Sequence, residues 1–516
     1  MGGFYNYAQE DPEFLALVEP DGTEWSAGDL LARANQAVHA LRSVGLEKGD
    51  TVAAVLPNGL HPVTVYLAAL QAGYYYVPIN YRLSAPEIAY ILQDSEAKAF
   101  VTHERTAETV IAAAEEAGIP PAACLGIGAL PGFRDWVSLL ADQPTTRPED
   151  RATGAAMHYT SGTTGQPKGV KRPLAEIDPD ASAELMTFLL TLFGIPARGG
   201  NVHLCTSPNY HTAVTTFAGN ALHSGHTVVY MDKWKPEETL AKIERYGCTH
   251  THMVPTQFHR MLQLPDEVRR QYDVSSMKWA IHAAAPCPID VKRKMLDWWG
   301  PVIWEYYAAT EGGGTIASPE DWLKYPGTVG KAWPISELKI VDDEGVLCPT
   351  GVPGTVWMRM GTGRTFEYKG DEEKTSKSHD AEGFFTVGDV GYFNEEGFLF
   401  LCDRKSDMII AGGVNIYPAE IENEIMAHPG VADVAVFGVP DDDMGEQIKA
   451  IIEPNEGVPA DEALRSSIME HLVGRLAKFK WPRSVDFIEE MPREPTGKLL
   501  KRKLRDPYWE GHDRAI

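Results

Sequence analysis

The stretch from Tyr159 to Arg172 reads YTSGTTGQPKGVKR. Three glycines (Gly162, Gly165, Gly169), four hydroxyl side chains (Thr160, Ser161, Thr163, Thr164) and three cations (Lys168, Lys171, Arg172) crowd into it. Glycine and hydroxyl residues at this density make a turn, and Pro167 fixes one backbone angle of it. Bare backbone amides in such a turn form a nest for an anion, and Lys168 adds a point charge. The stretch therefore reads as a phosphate-holding loop, against the plainer alternative of a polar surface turn. It is not a P-loop, because Lys168 is followed by Gly169 rather than Ser or Thr. It is not a nucleophile elbow, since nothing around Ser161 fits G-x-S-x-G. The segment GIGALPG (126–132) misses the dinucleotide-binding spacing.

Outward from this loop, helical and strand-like patterns alternate. SAGDLLARANQAVHALRSVG (26–45) carries apolar residues at helical spacing, with Ser26 as N-cap and Gly45 past the end. DTVAAVLP then reads as a buried strand, HPVTVYLAALQAG as helix, YYYVPI as strand, APEIAYILQDSEA as helix and KAFVTH as strand. PEETLAKIERYG with CTHTHMVP, and PIDVKRKMLDWWG with PVIWEYY, repeat the unit. This alternation predicts a parallel α/β sheet. Beyond about residue 335 the texture changes. ELKIVDDEGVLCPTGVPGTVWMRM (337–360) alternates short β-rich runs with Gly, Pro and Asp turns, which predicts a small antiparallel sheet or barrel. After DRKSDMII (403–410) comes a compact α+β segment. There PAEIENEIMAHPG and DEALRSSIMEHLVGRLA read as helices, VADVAVFGVPD and QIKAIIEP as strands.

Bulk properties bound the function. A chain of 516 residues with 44% hydrophobic content buries a large core, in roughly two to four domains. The formal net charge of -25 argues against nucleic acid as a general partner, which needs a basic face. A small polyanion needs only a local basic pocket. The six cysteines form no CxxC pair or metal-ligand spacing, which suits a reducing, cytoplasmic setting. MGGFYNYAQEDPEFLALVEP has no basic n-region, so no signal peptide is expected. Asn6 stands where a myristoylation start needs Ser or Thr. No apolar run reaches membrane-spanning length. A homo-oligomer is left open.

Four ordered motifs then identify a family. YTSGTTGQPKGV resembles the phosphate-loop signature of the adenylate-forming superfamily, which includes acyl-CoA synthetases, the adenylation domains of peptide synthetases and luciferases. YYAATEGGG (306–314) resembles its Tyr-Gly-x-Thr-Glu motif. FFTVGDVGYFNEEGFLFLCDRKSDMIIAGGVNIYPAEIENEI (384–425) resembles its ribose-binding and hinge block. LAKFKWPRSVDFIEEMPREPTGKLLKRKLR (476–505) resembles its C-terminal lysine block. The resemblance implies an α/β protein. A large N-terminal AMP-binding domain (1–405) would hold two α/β subdomains and a β-barrel, and a small mobile α+β C-terminal domain would follow (406–516).

The implied chemistry joins a carboxylate to ATP as an acyl-AMP and then transfers the acyl group to a thiol. The first step brings two anions together, so its barrier is largely electrostatic. By the resemblance, Thr160, Ser161, Gly162, Thr163, Thr164 and Gly165 wrap the β- and γ-phosphates, and Lys168 supports the loop. Thr310 bonds the α-phosphate and Glu311 holds Mg²⁺. Tyr307 stacks on adenine beside Ala308, and Ala283, Ala284 and Ala285 line its other side. Asp389 accepts from the ribose hydroxyls, reinforced by Arg404, and Lys498 bridges carboxylate and α-phosphate. Taken singly, Glu311 reads equally as a solvated acid, Asp389 as a turn residue and Lys498 as a surface cation. The rest of KLLKRKLR reads as a solvated basic tail.

CoA is the implied acceptor. Gly412 and Gly413 would line its pantetheine tunnel, with Lys478, Lys480 and Arg483 on its phosphates. The acyl pocket would use Tyr210, His211, Thr212, Phe217, Val254, His282, Gly312, Gly313 and Gly314, with His211 either a gate or a packed ring. Small residues and the lack of a second charge point to an apolar fatty or bulky cyclic acid. Ser406 would be the pivot between half-reactions. The chain ends soon after Lys498, so no carrier domain is expected. Three positions depart from the family pattern: Ala308 and Asp403 stand where Gly is usual, and Val387 where Thr is. The alternatives are an aryl acid ligase, a luciferase-like enzyme, or a nucleotide-binding regulator without turnover.

Overall fold

A computed structural model describes residues 2–160, 167–361, 366–412, 414–441, 443–494 and 499–510. The chain divides into two compact units, each assembled from separate stretches. The first comprises Met1–His252, Asp266–Ala280 and Gly363–Lys377, and the second Met253–Pro265, Ile281–Thr362 and Ser378–Ile516.

The first unit holds the α/β alternation expected from the sequence. Six parallel strands run in the order Arg134–Asp135, Cys124–Ile127, Ala97–His103, Thr51–Val55, Tyr75–Pro78, Ala155–Ala156. Every residue of Thr51–Val55 is buried, the pattern of a strand covered on both faces. The helices Leu60–Ala72, Ala85–Asp94 and Ala107–Ala117 make the crossovers. Val55, Val77, Ile88, Leu92, Phe100 and Val110 pack in one core. The Ser84 and Glu87 capping box starts the second of these helices. Ser26 caps Ala27–Ser43 as predicted, accepting from the Asp29 amide. A second parallel set joins Leu15–Val18, Thr227–Tyr230, Val202–Cys205 and His250–Met253. A third, antiparallel set is small: His158–Thr160, Lys168–Lys171 and Glu367–Tyr368.

The second unit is built on antiparallel pairing. Ile303–Ala309 and Gly312–Ala317 form a hairpin. Ser336–Val341, Gly354–Met360, Asp389–Phe393 and Leu399–Arg404 form the four-stranded sheet that the turn-rich texture predicted. Further on, Val431–Asp441 and Gly445–Pro454 pair along their length. The helices Pro418–Met426 and Glu462–His471 cover this sheet through Ile421, Ile425, Leu464 and Ile468. The second helix ends sooner than its apolar pattern predicts, and Gly474 adopts a left-handed φ of 76° shortly after it.

One sequence expectation is corrected here. The segment after Leu499 is not a solvated basic tail. Lys501–Arg505 is a helix whose Leu504 packs with Ala435, Phe437 and Ile451. Lys501 bonds Glu422 at 2.8 Å with only 14% of its side chain exposed. An apolar residue and a paired cation on the inner face account for its docking.

Candidate active site

The hydroxyl-rich loop springs from a fixed base in the first unit. Thr160 pairs opposite Lys168 and Tyr159 opposite Gly169. The Tyr159 hydroxyl donates to Asp94 at 2.6 Å, and the Tyr90 hydroxyl to the Pro167 carbonyl at 3.2 Å. A Cβ on Gly169 would meet the Tyr159 ring at 3.0 Å, so the glycine permits this close packing. Lys168 lies 3.8 Å from Asp371, which draws its ammonium to the base of the loop. Ser161, Gly162, Thr163, Thr164 and Gly165 lie outside the described residues.

The second unit contains a cavity of about 400 Å³, lined by Ala283, Ala284, Ala285, Tyr307, Asp389 and Arg404 among others. Strand register sets the last two: Asp389 pairs directly opposite Arg404. Asp389 Oδ1 is 3.3 Å from Arg404 Nε, and its Oδ2 accepts from the Tyr307 hydroxyl at 2.7 Å. Burial and then the Asp389 charge hold the Tyr307 proton well above its ordinary range. Tyr307 is thus a fixed donor, and its ring forms part of the wall. The facing wall bends at Ala284, a non-glycine residue at φ 73°. Left-handed backbone on alanine costs about 1–2 kcal/mol and clusters where function requires it.

Thr310 and Glu311 form the tight turn between Ile303–Ala309 and Gly312–Ala317. The Glu311 charge reaches Tyr307, where it adds to the upward push on the phenol. Ala308, one of the departures, pairs opposite Gly314. A Cβ on Gly314 would meet the Tyr307 carbonyl at 2.3 Å and the Ala308 methyl at 3.0 Å. The glycine makes room for the alanine. At Val387 no hydroxyl is present, and that of neighbouring Thr386 is engaged by the Val356 carbonyl and the Gly388 amide.

The expected acyl-pocket residues fall in both units. In the first, His211 precedes the helix Thr212–His223, and its ring lies 4.4 Å from that of Tyr210. Phe217 is buried between Phe193 and His252, at 5.9 and 4.8 Å. In the second, Val254 is buried at the N-terminus of Pro255–Leu262, and Gly312–Gly314 open the returning strand of the hairpin. His282 is fully enclosed, 3.4 Å from Glu305 and edge-on to Phe258. It does not line the cavity.

Of the expected CoA contacts, Lys478 and Arg483 are exposed. Lys480 is not a free cation: Glu420 neutralises it at 2.6 Å, which a linear reading of AKFKWPR does not reveal. Gly412 adopts φ 58° and donates its amide to the Met444 carbonyl. Gly413 and Lys498 lie outside the described residues. The flanks of Lys498 are defined. Arg493 bridges to Leu499 across this segment, both line the cavity, and Arg493 grips Asp433 through Nε and Nη2 at 2.5 and 2.6 Å.

Among the cavity residues that sequence reading missed, two are largely buried charges beside the expected set, Glu305 and Lys501. Glu305 stands two residues before Tyr307 on one strand and so shares its face, a signal that alternation carries. Its carboxylate meets the buried Lys292 ammonium at 2.6 Å, and burial raises its pKa against the pull of that lysine. Lys501 is paired with Glu422. No group of three or more His, Cys, Asp or Glu side chains suited to a metal occurs among the described residues, and no helix there is long and apolar enough to cross a membrane.

The model of the AMP-binding enzyme family matches residues 4–365, and that of the AMP-binding enzyme C-terminal domain matches residues 420–498. The long-chain-fatty-acid–CoA ligase FadD13 of Mycobacterium tuberculosis is 33% identical over 504 residues, 97% of each chain. The fatty acid–[acyl-carrier-protein] ligase ScoC of Streptomyces coeruleorubidus is 30% identical, covering 99% of this chain and 96% of its own. The crystal structure of the anthranilate CoA ligase AuaEII in complex with anthranoyl-AMP superposes with a TM-score of 0.86 at 25% identity, covering 98% and 97%. The chain belongs to the AMP-binding enzyme family, whose members are adenylate-forming enzymes.

Proposed function

We propose that this chain activates an apolar carboxylic acid, a medium- or long-chain fatty acid or a bulky cyclic acid, and passes it to CoA. The reaction class is an AMP-forming acid–CoA ligase. The observation that carries the reading is the cavity in which Tyr307, Asp389 and Arg404 form one bonded set beside the bend at Ala284.

Each group has a task in the chemistry. The amides and hydroxyls of residues 160–165 hold the outer phosphates, and Lys168 braces the loop from its base. Asp389 accepts from the ribose diol, held in place by Tyr307 and Arg404. Adenine lies between the Tyr307 ring and Ala283–Ala285. Thr310 donates to the α-phosphate. Glu311 would hold Mg²⁺ through its carboxylate, the oxygen ligand this ion prefers. When bound, the ion would supply charge neutralisation at the phosphates. Lys498 neutralises the two meeting anions. Gly412 and Gly413, with the exposed Lys478 and Arg483, receive CoA. The domain boundary falls at residues 405 and 406, and Ser406 is the pivot that exchanges one half-reaction for the other.

Relatives divide on the acid and the acceptor: FadD13 and ScoC carry fatty-acid names, AuaEII an aryl-acid name, and ScoC a carrier-protein acceptor. The absence of a second cation among the expected pocket residues favours the apolar acid. The test is pyrophosphate release from ATP across a panel of carboxylates, with and without a divalent-metal chelator. Release with apolar acids that chelation abolishes supports the reading. Release with charged or aryl acids alone, or release that survives chelation, sinks it.

A further inference from the structure

Asp403 is the departure that the structure turns into an asset. It lies at the end of the strand Leu399–Arg404, three residues before Ser406. Beyond the pivot, the helix Pro418–Met426 starts without a cap of its own: its N-cap residue is Tyr417, which makes no side-chain bond. Its first position is proline, which has no amide to donate. The first available donor is therefore the Ala419 amide, one of the orphan groups at any helix start. Asp403 Oδ2 accepts from it at 3.1 Å, while Oδ1 accepts from the Arg404 amide at 2.7 Å. Glycine at this position could do neither.

Other charged groups after the pivot converge on the same spot. Lys501 pairs with Glu422, one turn along the capped helix. Burial alone would lower its ammonium, yet Glu422, Asp403 and Asp407 together hold it above its ordinary value. Arg505 reaches the Ser406 carbonyl at 3.4 Å and Asp407 at 3.5 Å. Burial raises the Asp403 carboxyl to about 6, opposed by Lys501 and reinforced by Glu422 and Asp407. In this arrangement Arg493, Leu499 and Lys501 line the cavity that holds Tyr307 and Asp389.

We propose that Asp403 is a positioning residue that caps the helix Pro418–Met426 across the pivot and so tethers the C-terminal segment in the arrangement that serves acyl-AMP formation. This rests on the two-step reading with its pivot at Ser406. When the segment turns for the thioester step, the Ala419 amide leaves Asp403, and the tether is remade on return.

The test uses the full chain with Asp403→Ala and Asp403→Asn. One readout needs no substrate: hydrogen–deuterium exchange of the amides of residues 417–421. The other is the ratio of two rates, pyrophosphate release and thioester formation from supplied acyl-AMP and CoA. Asp403→Ala should speed that exchange and slow pyrophosphate release, each by about tenfold, the scale of one charge-assisted hydrogen bond. Thioester formation should hold at the wild-type rate or rise. Asp403→Asn keeps an oxygen on the Ala419 amide and should restore most of both effects. Wild-type exchange and an unchanged ratio in Asp403→Ala overturn the proposal. So does an equal fall in both half-reactions that Asp403→Asn fails to rescue. If wild type releases no pyrophosphate with any acid while the exchange still responds to Asp403→Ala, the functional reading falls and the capping contact stands.

Discussion

The two units bury their titratable groups in different ways. The first keeps most of them neutral. His158, His203, His223, His226, His250 and His252 are all nearly or wholly buried there, and burial pushes each pKa down, to about 3 or 4 where the shift has a defined value. The rings of His203 and His226 lie 4.8 and 5.0 Å from that of His250, so a proton on one disfavours a proton on the next. Asp180, between Arg147 and Arg151, and Lys242, on the Pro20 carbonyl, are exceptions in that unit. The second unit also holds neutral groups such as the half-buried His259, but it adds a set of buried or half-buried pairs: Lys292 with Glu305, Arg493 with Asp433, Lys501 with Glu422 and Arg404 with Asp389. All four of these pairs contribute residues to the cavity. A neutral interior is a rigid support, whereas paired charges preset the field in which a polyanion reacts. The contrast assigns a neutral histidine core to the first region, which also carries Lys168 and the base of the hydroxyl-rich loop, and the denser set of buried charge pairs to the second.

The strongest way to break that assignment is to remove a single charge from the second unit. Lys498→Ala should cut acyl-AMP formation by several orders of magnitude, the scale of an electrostatic catalytic group. Thioester formation from supplied acyl-AMP should stay near wild type, and acetylation of Lys498 should act in the same way by removing its charge. Wild-type pyrophosphate release in this variant defeats the prediction, as does equal loss of both half-reactions in a folded protein.

Acid should strike the first unit. A histidine whose folded pKa lies below its ordinary 6.5 remains neutral in the native state while the unfolded chain takes up a proton. The stability it contributes is complete above pH 6.5 and is lost as pH falls towards 3–4. Summed over the cluster, the loss between pH 7 and pH 5 should reach several kcal/mol. Urea midpoints measured at the two pH values check this, and equal midpoints would falsify it.

Asp389→Ala comes next. It leaves the Tyr307 hydroxyl and the Arg404 guanidinium without their shared acceptor and should raise the ATP requirement and slow turnover. Each lost bond to a charged acceptor costs roughly 1.5–3 kcal/mol. An unchanged dependence on ATP removes Asp389 from the ribose site. Ser406→Pro fixes φ and removes a donor within the short turn Lys405–Asp407. Adenylation should survive while thioester formation falls about tenfold, a loss of roughly 1.4 kcal/mol in the barrier. Matching losses in both point to a different pivot.

The smallest effect sharpens the contrast from the neutral side. Ala284→Gly introduces no charge and relieves the left-handed backbone, so it should raise stability by about 1 kcal/mol in chemical denaturation. Looser ordering of the adenine wall should weaken nucleotide binding slightly. Lower stability in this variant contradicts the strain argument.

Much of this was legible in sequence because it is local. Apolar spacing located the helix Ala27–Ser43 and its cap at Ser26, and the buried strand Thr51–Val55. The order of motifs indicated Tyr307, Asp389 and Arg404, which the fold brings into one bonded set. What escaped was pairing across long separations. Lys480 reads as a free cation in AKFKWPR because Glu420 lies 60 residues away. KLLKRKLR reads as a tail because Glu422 and the apolar contacts of Leu504 come from other elements. Asp403 reads as a mild departure because the helix it caps begins beyond the turn.

The division of the first unit into three stretches also bears on how the protein is made. Lys168–Lys171, at the base of the hydroxyl-rich loop, pairs with Glu367–Tyr368, about 200 residues later in the chain. A ribosome adding about 5–20 residues per second needs about 10–40 s to cover that distance. Throughout that interval one edge of Lys168–Lys171 has no native strand beside it, and an unpaired edge is a template for wrong partners. The strand Lys168–Lys171 therefore acquires its second partner late in synthesis, after the strands of the six-stranded parallel sheet have already left the ribosome.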